Sequence, residues 1–390
     1  MSRPRPDPLD FLGLGALFTE EELMLQETVR RFAAHRLLPG IEEWFENAEF
    51  PREIAEELGR LGLLGMHLQG YGCAGVNAVG YGLACLELEA ADSSFRSFVS
   101  VQGSLAMFPI YSYGSEEQKT EWLPRMASGE VIGCFGLTEP DAGSDPSRMR
   151  TSARQDGSDW VLNGTKMWIT NGSIAGVAVV WAVTEQGVRG FLVPAGTSGF
   201  HTRDIKRKLS LRASVTSELH FDDCRVPGNA LLPGVSGLKG PLSCLSEARF
   251  GIVWGSMGAA RSCYECALEY SRSRAQFERP IGAFQLTQQK LVEMMLEIQK
   301  GLLVALHLGR LKDSSQLAVE QVSLGKLNNV REALEVARKA RTILGASGIT
   351  LEYPVIRHMN NLESVLTYEG TSEIHTLILG EALTGLRAFS

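Results

Sequence analysis

The sequence predicts an α+β protein that is mainly α: an N-terminal helical domain, a middle β-barrel or β-sandwich domain, and a C-terminal four-helix bundle. Three observations support this fold class. Apolar residues recur with a helical period through the first third of the chain, the period is lost at Val131, and it returns after Gly240. We therefore expect domains at residues 1–130, 131–239 and 240–390.

The first third contains amphipathic segments with recognisable helix starts. Thr19 followed by Glu22 forms a capping-box pattern, in which each side chain satisfies the other residue's backbone N–H. A second capping signal, Ser115-Glu-Glu-Gln, begins a helix that ends near Gly129. The other predicted helices of this part are Glu20–His35, Pro51–Leu64, Val76–Ala91 and Ser94–Tyr113.

The middle third alternates short β-rich runs with turn residues. Asn163-Gly164 predicts a type I′ hairpin turn between two strands, because both residues tolerate a positive φ. Several such short strands are typical of a barrel or a sandwich. The predicted strand segments are Trp160–Leu162, Val177–Val183, Gly190–Val193 and Glu218–Phe221.

The last third is helical to the end of the chain. Pro280 and Pro354 mark connections between the helices, since proline disrupts a helix interior. Long amphipathic helices joined by short breaks indicate a bundle. The predicted helices are Leu242–Ser273, Gln285–Lys312, Gln316–Leu344 and Ser372–Leu386.

Composition excludes several classes of function. Hydrophobic residues make up 44% and charged residues 21%, the proportions of a globular protein and not of a disordered one. A net charge of −7 disfavours a nucleic-acid partner, and the basic run Lys206–Lys208 reads as a solvated edge. The N-terminal segment lacks the apolar core of a signal peptide, and no apolar run is long enough to span a bilayer. We expect a soluble, cytoplasmic protein.

The seven cysteines do not suggest a disulfide framework, because they are scattered and odd in number. Cys263 and Cys266 form a CxxC pattern, but no second pair or nearby histidine completes a zinc site. We predict buried thiols in a reducing compartment, and no metal site.

The densest group of functional side chains is Phe135–Asp145, at the entry to the β domain. Its glycines, proline and polar residues prevent a regular strand, but they can present backbone N–H groups and the hydroxyls of Thr138 and Ser144 to a polar ligand. An ordinary surface loop is an equally good interpretation on composition alone.

A second motif, Asn163–Thr170, has Trp168 and Thr170 on one face of a predicted strand. An indole beside a hydroxyl suits a flat heteroaromatic ligand, because the ring can pack while the hydroxyl binds a ring nitrogen or oxygen. Packing of Trp168 in the core remains the alternative.

In this order and spacing, the two motifs resemble the acyl-CoA dehydrogenase family. The resemblance covers essentially the whole chain, and several independent motifs are more specific than a single short one. Within the family, the similarity is greatest to the glutaryl-CoA dehydrogenases. Further matching segments are Lys208–Ser214, Phe221–Pro227, Arg274–Phe277, Phe284–Leu286 and Thr367–Thr371.

The resemblance implies an FAD enzyme that forms a homotetramer. The flavin would lie between the β domain and the C-terminal bundle, with Thr170 near N5 and the adenine end at a neighbouring subunit. The family usually has paired glycines where this chain has Ala346, which is a departure. The implied cofactor-binding residues are Phe135, Leu137, Thr138, Gly143, Ser144, Trp168, Ile169, Thr170, Arg274, Phe277, Gln285, Ile343, Leu344, Gly345 and Thr371.

Glu369 matches the family's catalytic base, which removes a proton from Cα of the acyl thioester while hydride leaves Cβ. That proton is weakly acidic, so a desolvated carboxylate with a raised pKa is needed. Gly370 allows a close approach of the chain to a ligand. Without the resemblance, Glu369 would read as a carboxylate that complements the dipole of the following helix.

Arg96 and Ser100 are four residues apart on a predicted helix and therefore share a face. A buried guanidinium suits a dicarboxylic acyl group, whose distal carboxylate could bind it in bidentate geometry. A structural ion pair between Arg96 and Glu89 is the alternative. By resemblance, the substrate-binding residues are Arg96, Ser97, Ser100, Ser144, Leu245, Arg249, Tyr368 and Gly370.

The resemblance implies oxidation of glutaryl-CoA, decarboxylation to crotonyl-CoA, and transfer of electrons to an electron-transferring flavoprotein, as in lysine and tryptophan degradation. Three alternatives stay open at this point. They are a dehydrogenase of short monocarboxylic chains or one that does not decarboxylate, an acyl-CoA oxidase, and a catalytically silent protein that keeps the fold for binding.

Overall fold

In a computed structural model, which describes residues 6–388, the chain forms a helical region, a curled β-sheet and a second helical region. This order confirms the fold class that the sequence predicts. The two helical regions are not separate bodies, because they share one hydrophobic core.

The first helical region begins with the predicted capping box. The Thr19 hydroxyl accepts a hydrogen bond from the Glu22 N–H at 3.2 Å, and the Glu22 carboxylate accepts one from the Thr19 N–H at 2.9 Å. The predicted helix Ser94–Tyr113 is instead two α-helices joined by a π-helical stretch, Val101–Met107. The elements of this region are α1 Glu20–Phe32, α2 Ile41–Asn47, α3 Glu53–Arg60, β1 Gln69–Gly70, β2 Cys73–Ala74, α4 Ala78–Ala91, α5 Ser93–Ser100, α6 Phe108–Tyr113 and α7 Glu116–Ala127.

The middle region is a seven-stranded sheet. Its strands are β3 Gly133–Gly136, β4 Ser152–Asp156, β5 Asp159–Thr170, β6 Val177–Thr184, β7 Gly187–Pro194, β8 Phe200–Asp204 and β9 Thr216–Val226. They lie in the order β3-β6-β4-β5-β9-β8, and β7 pairs with β6. All four predicted strand segments fall within these strands.

The prediction of a hairpin turn at Asn163-Gly164 is wrong. Both residues lie inside β5, where the register against β9 shifts between Leu162 and Gly164. A β-bulge, and not a turn, uses the conformational freedom of Gly164 (φ 146°). The hairpin instead turns at Gly157 and Ser158, because β4 and β5 end as the pair Asp156–Asp159.

The second helical region contains one more helix than the sequence predicts. Pro354 does not only mark a connection: it occupies the first turn of a helix, where its missing N–H costs nothing. Across the described residues, the elements are α8 Lys239–Ser273, β10 Ala275–Gln276, β11 Arg279–Pro280, α9 Gln285–Asp313, α10 Val319–Leu344, α11 Pro354–Thr367 and α12 Ser372–Thr384.

Helices α4 and α8 approach each other closely at the centre of the shared core. A Cβ atom on Gly258 would lie 1.9 Å from the Leu86 carbonyl oxygen, and one on Gly82 would lie 2.3 Å from the Trp254 ring. Only glycine permits this backbone approach. The close packing brings α4, α5 and α8 together with α10 and α11, and the candidate site lies where they meet.

Several smaller expectations have direct outcomes. All seven cysteines are free thiols, and in α8 Cys263 is buried and Cys266 partly buried. Lys206 and Arg207 are exposed, but Lys208 is partly buried and donates to the Ser214 carbonyl oxygen at 2.7 Å. Over residues 6–388, no helix combines the length and apolarity that crossing a membrane requires. Within the same residues, no group of three His, Cys, Asp or Glu side chains could hold a metal ion.

Candidate active site

Glu369 lies between two helices, in a backbone conformation that L-residues rarely adopt. Helix α11 ends at Thr367, α12 begins at Ser372, and Glu369 has φ 55°. A left-handed conformation costs a non-glycine residue about 1–2 kcal/mol, so its surroundings must hold it there.

Two basic side chains bind the backbone around Glu369. Arg249 on α8 donates from Nε to the Glu369 carbonyl oxygen at 2.7 Å. Lys326 on α10 donates from Nζ to the carbonyl oxygens of Tyr368, at 2.8 Å, and Gly370, at 2.6 Å. Three successive carbonyl groups are therefore satisfied by two side chains from the helices packed behind them.

The Glu369 carboxyl group is desolvated. Its Oε2 atom is buried and has no hydrogen-bond partner. Burial raises the pKa of Glu369, while the positive charges of Arg96, Lys326 and Arg249 oppose the rise. A carboxylate in such surroundings is a stronger base than one in water, and the nearby cations still allow it to ionise.

Arg96 and Glu89 form an ion pair in which both side chains are 0% exposed. Arg96 donates from Nε to Glu89 Oε2 at 2.5 Å and from Nη2 to the Tyr368 hydroxyl, but its Nη1 atom is buried without a partner. The structural pair weighed in the sequence analysis therefore exists, and it leaves one guanidinium nitrogen free. Gly255 makes room for it, since a Cβ there would lie 2.1 Å from Glu89 Oε2.

Three of the remaining predicted substrate-binding residues lie on the helices that supply Arg96 and Arg249. Ser97 is 2% exposed, and the buried Ser100 hydroxyl has no hydrogen-bond partner. Leu245 is partly buried on α8, one turn before Arg249. The structure thus brings Arg96, Tyr368, Arg249 and Gly370 together around Glu369. Ser144 lies elsewhere, exposed in the loop that follows β3.

The two sequence motifs of the β region, Phe135–Asp145 and Asn163–Thr170, are connected by hydrogen bonds. The Met167 N–H donates to the Thr138 carbonyl oxygen at 2.9 Å, and Lys166 Nζ donates to the Leu137 carbonyl oxygen at 3.1 Å. Trp168 is 56% exposed, has φ 64°, and lies within a second register shift of β5, between Lys166 and Ile169. A large exposed indole in a strained conformation is typical of a ligand-facing residue.

The other predicted cofactor-binding residues of the β region differ in exposure. Ile169 is buried, and Thr170 is partly buried at the end of β5. Phe135 is buried in β3, and Gly143 is exposed in the following loop. The indole and the two partly buried hydroxyls, those of Thr138 and Thr170, are the groups here that a planar polar ring could contact.

A separate surface contains the predicted residues of the C-terminal region. Phe277 is 88% exposed at the tip of the β10–β11 hairpin and, with Ile343, lines an open cavity of about 290 Å³. Arg274 and Gln285 are exposed on either side of the hairpin, Leu344 is buried, and Gly345 is exposed. Thr371 caps α12, where its hydroxyl accepts a hydrogen bond from the Ile374 N–H at 3.3 Å.

Sequence reasoning missed three residues of the site: Lys326, Gly255 and His375. His375 is buried, and a Cβ on Gly370 would lie 2.9 Å from its Nε2 atom. A signal existed for Lys326, because it lies on the apolar stripe of α10, four residues after Val322 and four before Val330. A lysine on such a stripe is rarely buried without a partner.

Comparison with protein-family models gives three matches in the same order as the regions of the fold. The acyl-CoA dehydrogenase N-terminal domain matches residues 19–130, the middle domain matches residues 134–224, and the C-terminal domain matches residues 236–384. Together they span most of the chain. The protein belongs to the acyl-CoA dehydrogenase family.

The names of individual relatives refer to different substrates. The chain is 36% identical to the human mitochondrial short-chain specific acyl-CoA dehydrogenase over 378 residues, which cover 95% of this chain and 92% of that protein. It is 66% identical to a solved glutaryl-CoA dehydrogenase from Mycobacterium smegmatis, with a TM-score of 0.98 and coverage of 99% and 100%.

Two further structures contain ligands according to their descriptions. One is a glutaryl-CoA dehydrogenase from M. smegmatis in complex with FADH2, with 63% identity, a TM-score of 0.98 and coverage of 99% and 100%. The other is a glutaryl-coenzyme A dehydrogenase in complex with glutaryl-CoA, with 30% identity, a TM-score of 0.91 and coverage of 95% and 96%.

Proposed function

We propose that the protein is an FAD-dependent dehydrogenase of glutaryl-CoA, with Glu369 as the base that removes the α-proton. The high identity to the M. smegmatis glutaryl-CoA dehydrogenase supports the substrate, and the related FADH2 complex supports the cofactor. An electron-transferring flavoprotein as the final acceptor is part of the same proposal. The observation that carries the substrate assignment is the free, buried Nη1 atom of Arg96.

The residues of the β region fit a flavin. Trp168 offers an exposed aromatic face, and the Thr138 and Thr170 hydroxyls are available for ring atoms. When bound, FAD accepts the hydride that leaves Cβ of the acyl chain. The open cavity lined by Phe277, Ile281, Phe284 and Ile343 is a contiguous apolar surface, and such a surface suits contact with a neighbouring copy. We therefore include a homotetramer in the proposal.

Glu369 performs the proton transfer. Its buried Oε2 atom has no partner in the protein and is free to bind the α-proton of a thioester. The raised pKa makes the carboxylate basic enough to act on a weakly acidic C–H bond. The surrounding basic groups, Arg96, Arg249 and Lys326, limit that rise because they favour the ionised form.

Arg96 is the proposed receptor for the distal carboxylate of the substrate. Its Nη1 atom is the donor that no protein group uses, and an unpaired buried donor is costly. A plain alkyl chain offers no acceptor to this nitrogen, whereas the distal carboxylate of a glutaryl group does.

Decarboxylation is the proposed second half of the reaction. After oxidation, the bond from Cγ to the distal carboxylate breaks, CO₂ leaves, and the electron pair delocalises onto the thioester carbonyl. A proton added at Cγ then gives crotonyl-CoA. Release of labelled CO₂ from glutaryl-CoA carrying the label in the distal carboxylate tests this half, and the absence of release under turnover would restrict the function to oxidation.

A panel of acyl-CoA substrates with an artificial electron acceptor tests the proposal. We expect kcat/KM for glutaryl-CoA to exceed that for butyryl-CoA in the parent enzyme, because Arg96 binds only the dicarboxylic chain. The Arg96→Lys variant keeps the positive charge, but its single ammonium nitrogen replaces the several nitrogens of the guanidinium group. The preference for glutaryl-CoA should then fall by about tenfold or more, as expected for loss of a bidentate, charge-assisted contact.

Removing one partner of a buried ion pair can unfold a protein, so the control replaces both. Arg96→Met combined with Glu89→Gln removes the charges together. We expect this variant to retain turnover of butyryl-CoA and to lose its preference for glutaryl-CoA. Equal kcat/KM values for the two substrates in the parent would instead support the short-chain alternative, which the human relative favours.

A further inference from the structure

We propose that Lys326 is a positioning residue for the base: it holds Glu369 in the left-handed conformation and keeps a positive charge beside its carboxylate. This inference rests on the proposed role of Glu369. It assigns a function to a buried side chain on α10 whose hydrogen bonds go to the backbone on either side of Glu369.

The hydrogen bonds of Lys326 surround Glu369 on both sides. Nζ contacts the carbonyl oxygens of Tyr368 and Gly370, the residues immediately before and after Glu369. Rotation of Glu369 into a right-handed conformation would move these two carbonyl groups relative to each other, so both bonds cannot survive it. Lys326 therefore stabilises the one conformation that presents the carboxyl group to the site.

Burial restricts the motion of the Lys326 side chain. Lys326 is 2% exposed in the core of the helical bundle, and α10 lies against α8, which supplies Arg249. Arg249 binds the remaining carbonyl group, that of Glu369 itself. A four-carbon side chain loses considerable rotational entropy when it is fixed, and two charge-assisted bonds can offset that cost.

The charge of Lys326 acts on the base as well. The groups that interact electrostatically with Glu369 are Arg96 from α5, Arg249 from α8, Lys326 from α10, Glu89 from α4 and the adjacent Tyr368. The buried His375 of α12 faces Lys326 and Arg249, and burial holds its pKa at about 3, so it stays neutral. Burial lowers the pKa of Lys326 to about 7, so below that pH Lys326 is one of three cations that oppose the effect of burial on Glu369. Without it, the pKa of Glu369 should rise further.

Lys208 is a lysine of this chain with similar backbone contacts but no proposed role at the base, and it serves as a comparison for Lys326. Its Nζ atom also donates to two backbone carbonyl oxygens, those of Leu211 and Ser214. The charged groups near it are Arg212, Asp92 and Asp204, and Glu369 is not among them. It is the matched control for Lys326, because it makes the same kind of contact away from the base.

The test compares Lys326→Met and Lys326→Gln in the flavin-loaded enzyme, using whichever acyl-CoA the parent turns over fastest. Met removes both the donor and the charge, whereas Gln keeps a donor and removes the charge. We measure kcat, KM and the pH dependence of kcat. Activity requires ionised Glu369, so a higher pKa moves the acidic limb of the profile to higher pH.

We expect the acidic limb to move to higher pH by about one unit in both variants, the size typical of losing one nearby opposite charge. At the plateau, kcat should fall about tenfold or more in Lys326→Met and less in Lys326→Gln, which retains part of the anchor. KM should change little, because Lys326 contacts the backbone and not the substrate. Lys208→Met should lower Tm without moving the acidic limb.

Two outcomes would overturn the inference. One is an unmoved acidic limb in Lys326→Gln together with a lower Tm, which would make Lys326 a structural residue like Lys208. The other is a change in KM alone, which would make it a binding residue. The proposed function is tested separately by Glu369→Gln: if that variant stays active, Glu369 is not the base, whatever Lys326 does.

Discussion

Helix α4 carries two buried carboxylates, Glu87 and Glu89, that are two residues apart and therefore point to different sides. Glu87 is 2% exposed and accepts hydrogen bonds from Arg30 and Arg261, with Arg261 bound through both terminal nitrogens at 2.8 and 2.6 Å. Glu89 is 0% exposed and pairs with Arg96.

The two sites differ in how completely their donors are used. Burial alone would raise the pKa of Glu87, but Arg261 and Arg30 lower it to about 2, so this carboxylate is strongly compensated. The Arg96 partner of Glu89 keeps one buried nitrogen without an acceptor. Burial and pairing are thus common to both sites. Arg261 Nε also lacks a hydrogen-bond partner, but it lies 3.4 Å from Glu265 Oε1 in a second ion pair, whereas among the described residues Arg96 pairs with Glu89 alone. The unused terminal nitrogen Nη1 of Arg96 therefore distinguishes the candidate recognition site from the structural one.

Glu369→Gln should have the largest effect, because it removes the proposed base itself, which lies beside the Arg96–Glu89 pair. Loss of a general base lowers turnover by about 10²–10⁴-fold. We expect the flavin to stay bound, as judged by its absorbance, while turnover with the artificial acceptor is lost. A variant that keeps full activity would remove Glu369 from the mechanism.

The stability of the same variant gives an independent check. The pKa of Glu369 is raised in the folded state, so the parent has its full stability below the unfolded pKa and loses some as pH rises through the folded pKa. Gln has no such loss. The Tm of Glu369→Gln relative to the parent should therefore increase as pH rises from about 4, measured by thermal unfolding with flavin bound.

Glu87→Gln tests the structural side of the comparison. It leaves Arg261 and Arg30 without their carboxylate, and breaking a buried pair costs about 3–5 kcal/mol. We expect the lower end of that range, because Arg30 is half exposed. Chemical unfolding should show the loss, while the ratio of kcat/KM for glutaryl- and butyryl-CoA stays unchanged. A changed ratio would mean that the two sites are not independent.

Local sequence signals predicted the order of the regions, the capped helix starts at Thr19 and Ser115, and several of the residues that the structure brings together around Glu369. The capping pattern at Thr19 was sufficient because the interaction spans only three residues. At Asn163-Gly164, the local signal predicted a turn, but pairing of β5 with β9 on one side and β4 on the other extended the strand through both residues. Tertiary pairing outweighed local propensity there.

The remaining part of the site depends on contacts between distant segments. The free nitrogen of Arg96 and the left-handed conformation of Glu369 arise from helices that meet only in the folded chain. Lys326 is 43 residues from Glu369 along the chain, and the hydrogen bonds that relate the two are visible only in three dimensions. No spacing rule connects such residues, although a lysine on an apolar stripe marks one of them.

Gly255→Ala should disturb the Arg96–Glu89 pair and leave the Glu87 site unchanged. The new methyl group would lie 2.1 Å from Glu89 Oε2 and 3.1 Å from Arg96 Cγ, so the ion pair must shift. A displacement of about 1 Å in a binding group is enough for tenfold or greater losses. We expect the preference for glutaryl-CoA over butyryl-CoA to fall about tenfold.

Gly380→Ala is the matched control, because a Cβ at Gly380 in α12 would meet no atom within 4 Å. Alanine there should stabilise the helix by about 0.4–1 kcal/mol and leave the preference unchanged. If Gly255→Ala lowers Tm but keeps the preference for glutaryl-CoA, the Arg96–Glu89 pair does not set the specificity.

The smallest expected effect is the pH dependence of the Glu87 contribution. The folded pKa of Glu87 is about 2, and its ordinary value is 4.5. A lowered pKa contributes stability above the ordinary value, and that contribution is lost as pH falls toward 2. Between pH 7 and pH 3.5, the difference in unfolding free energy between the parent and Glu87→Gln should therefore shrink by on the order of 1 kcal/mol. A difference that stays constant over this range would mean that Arg261 and Arg30 hold Glu87 by geometry and not by charge, and the contrast with Glu89 would then rest on the free donor of Arg96 alone.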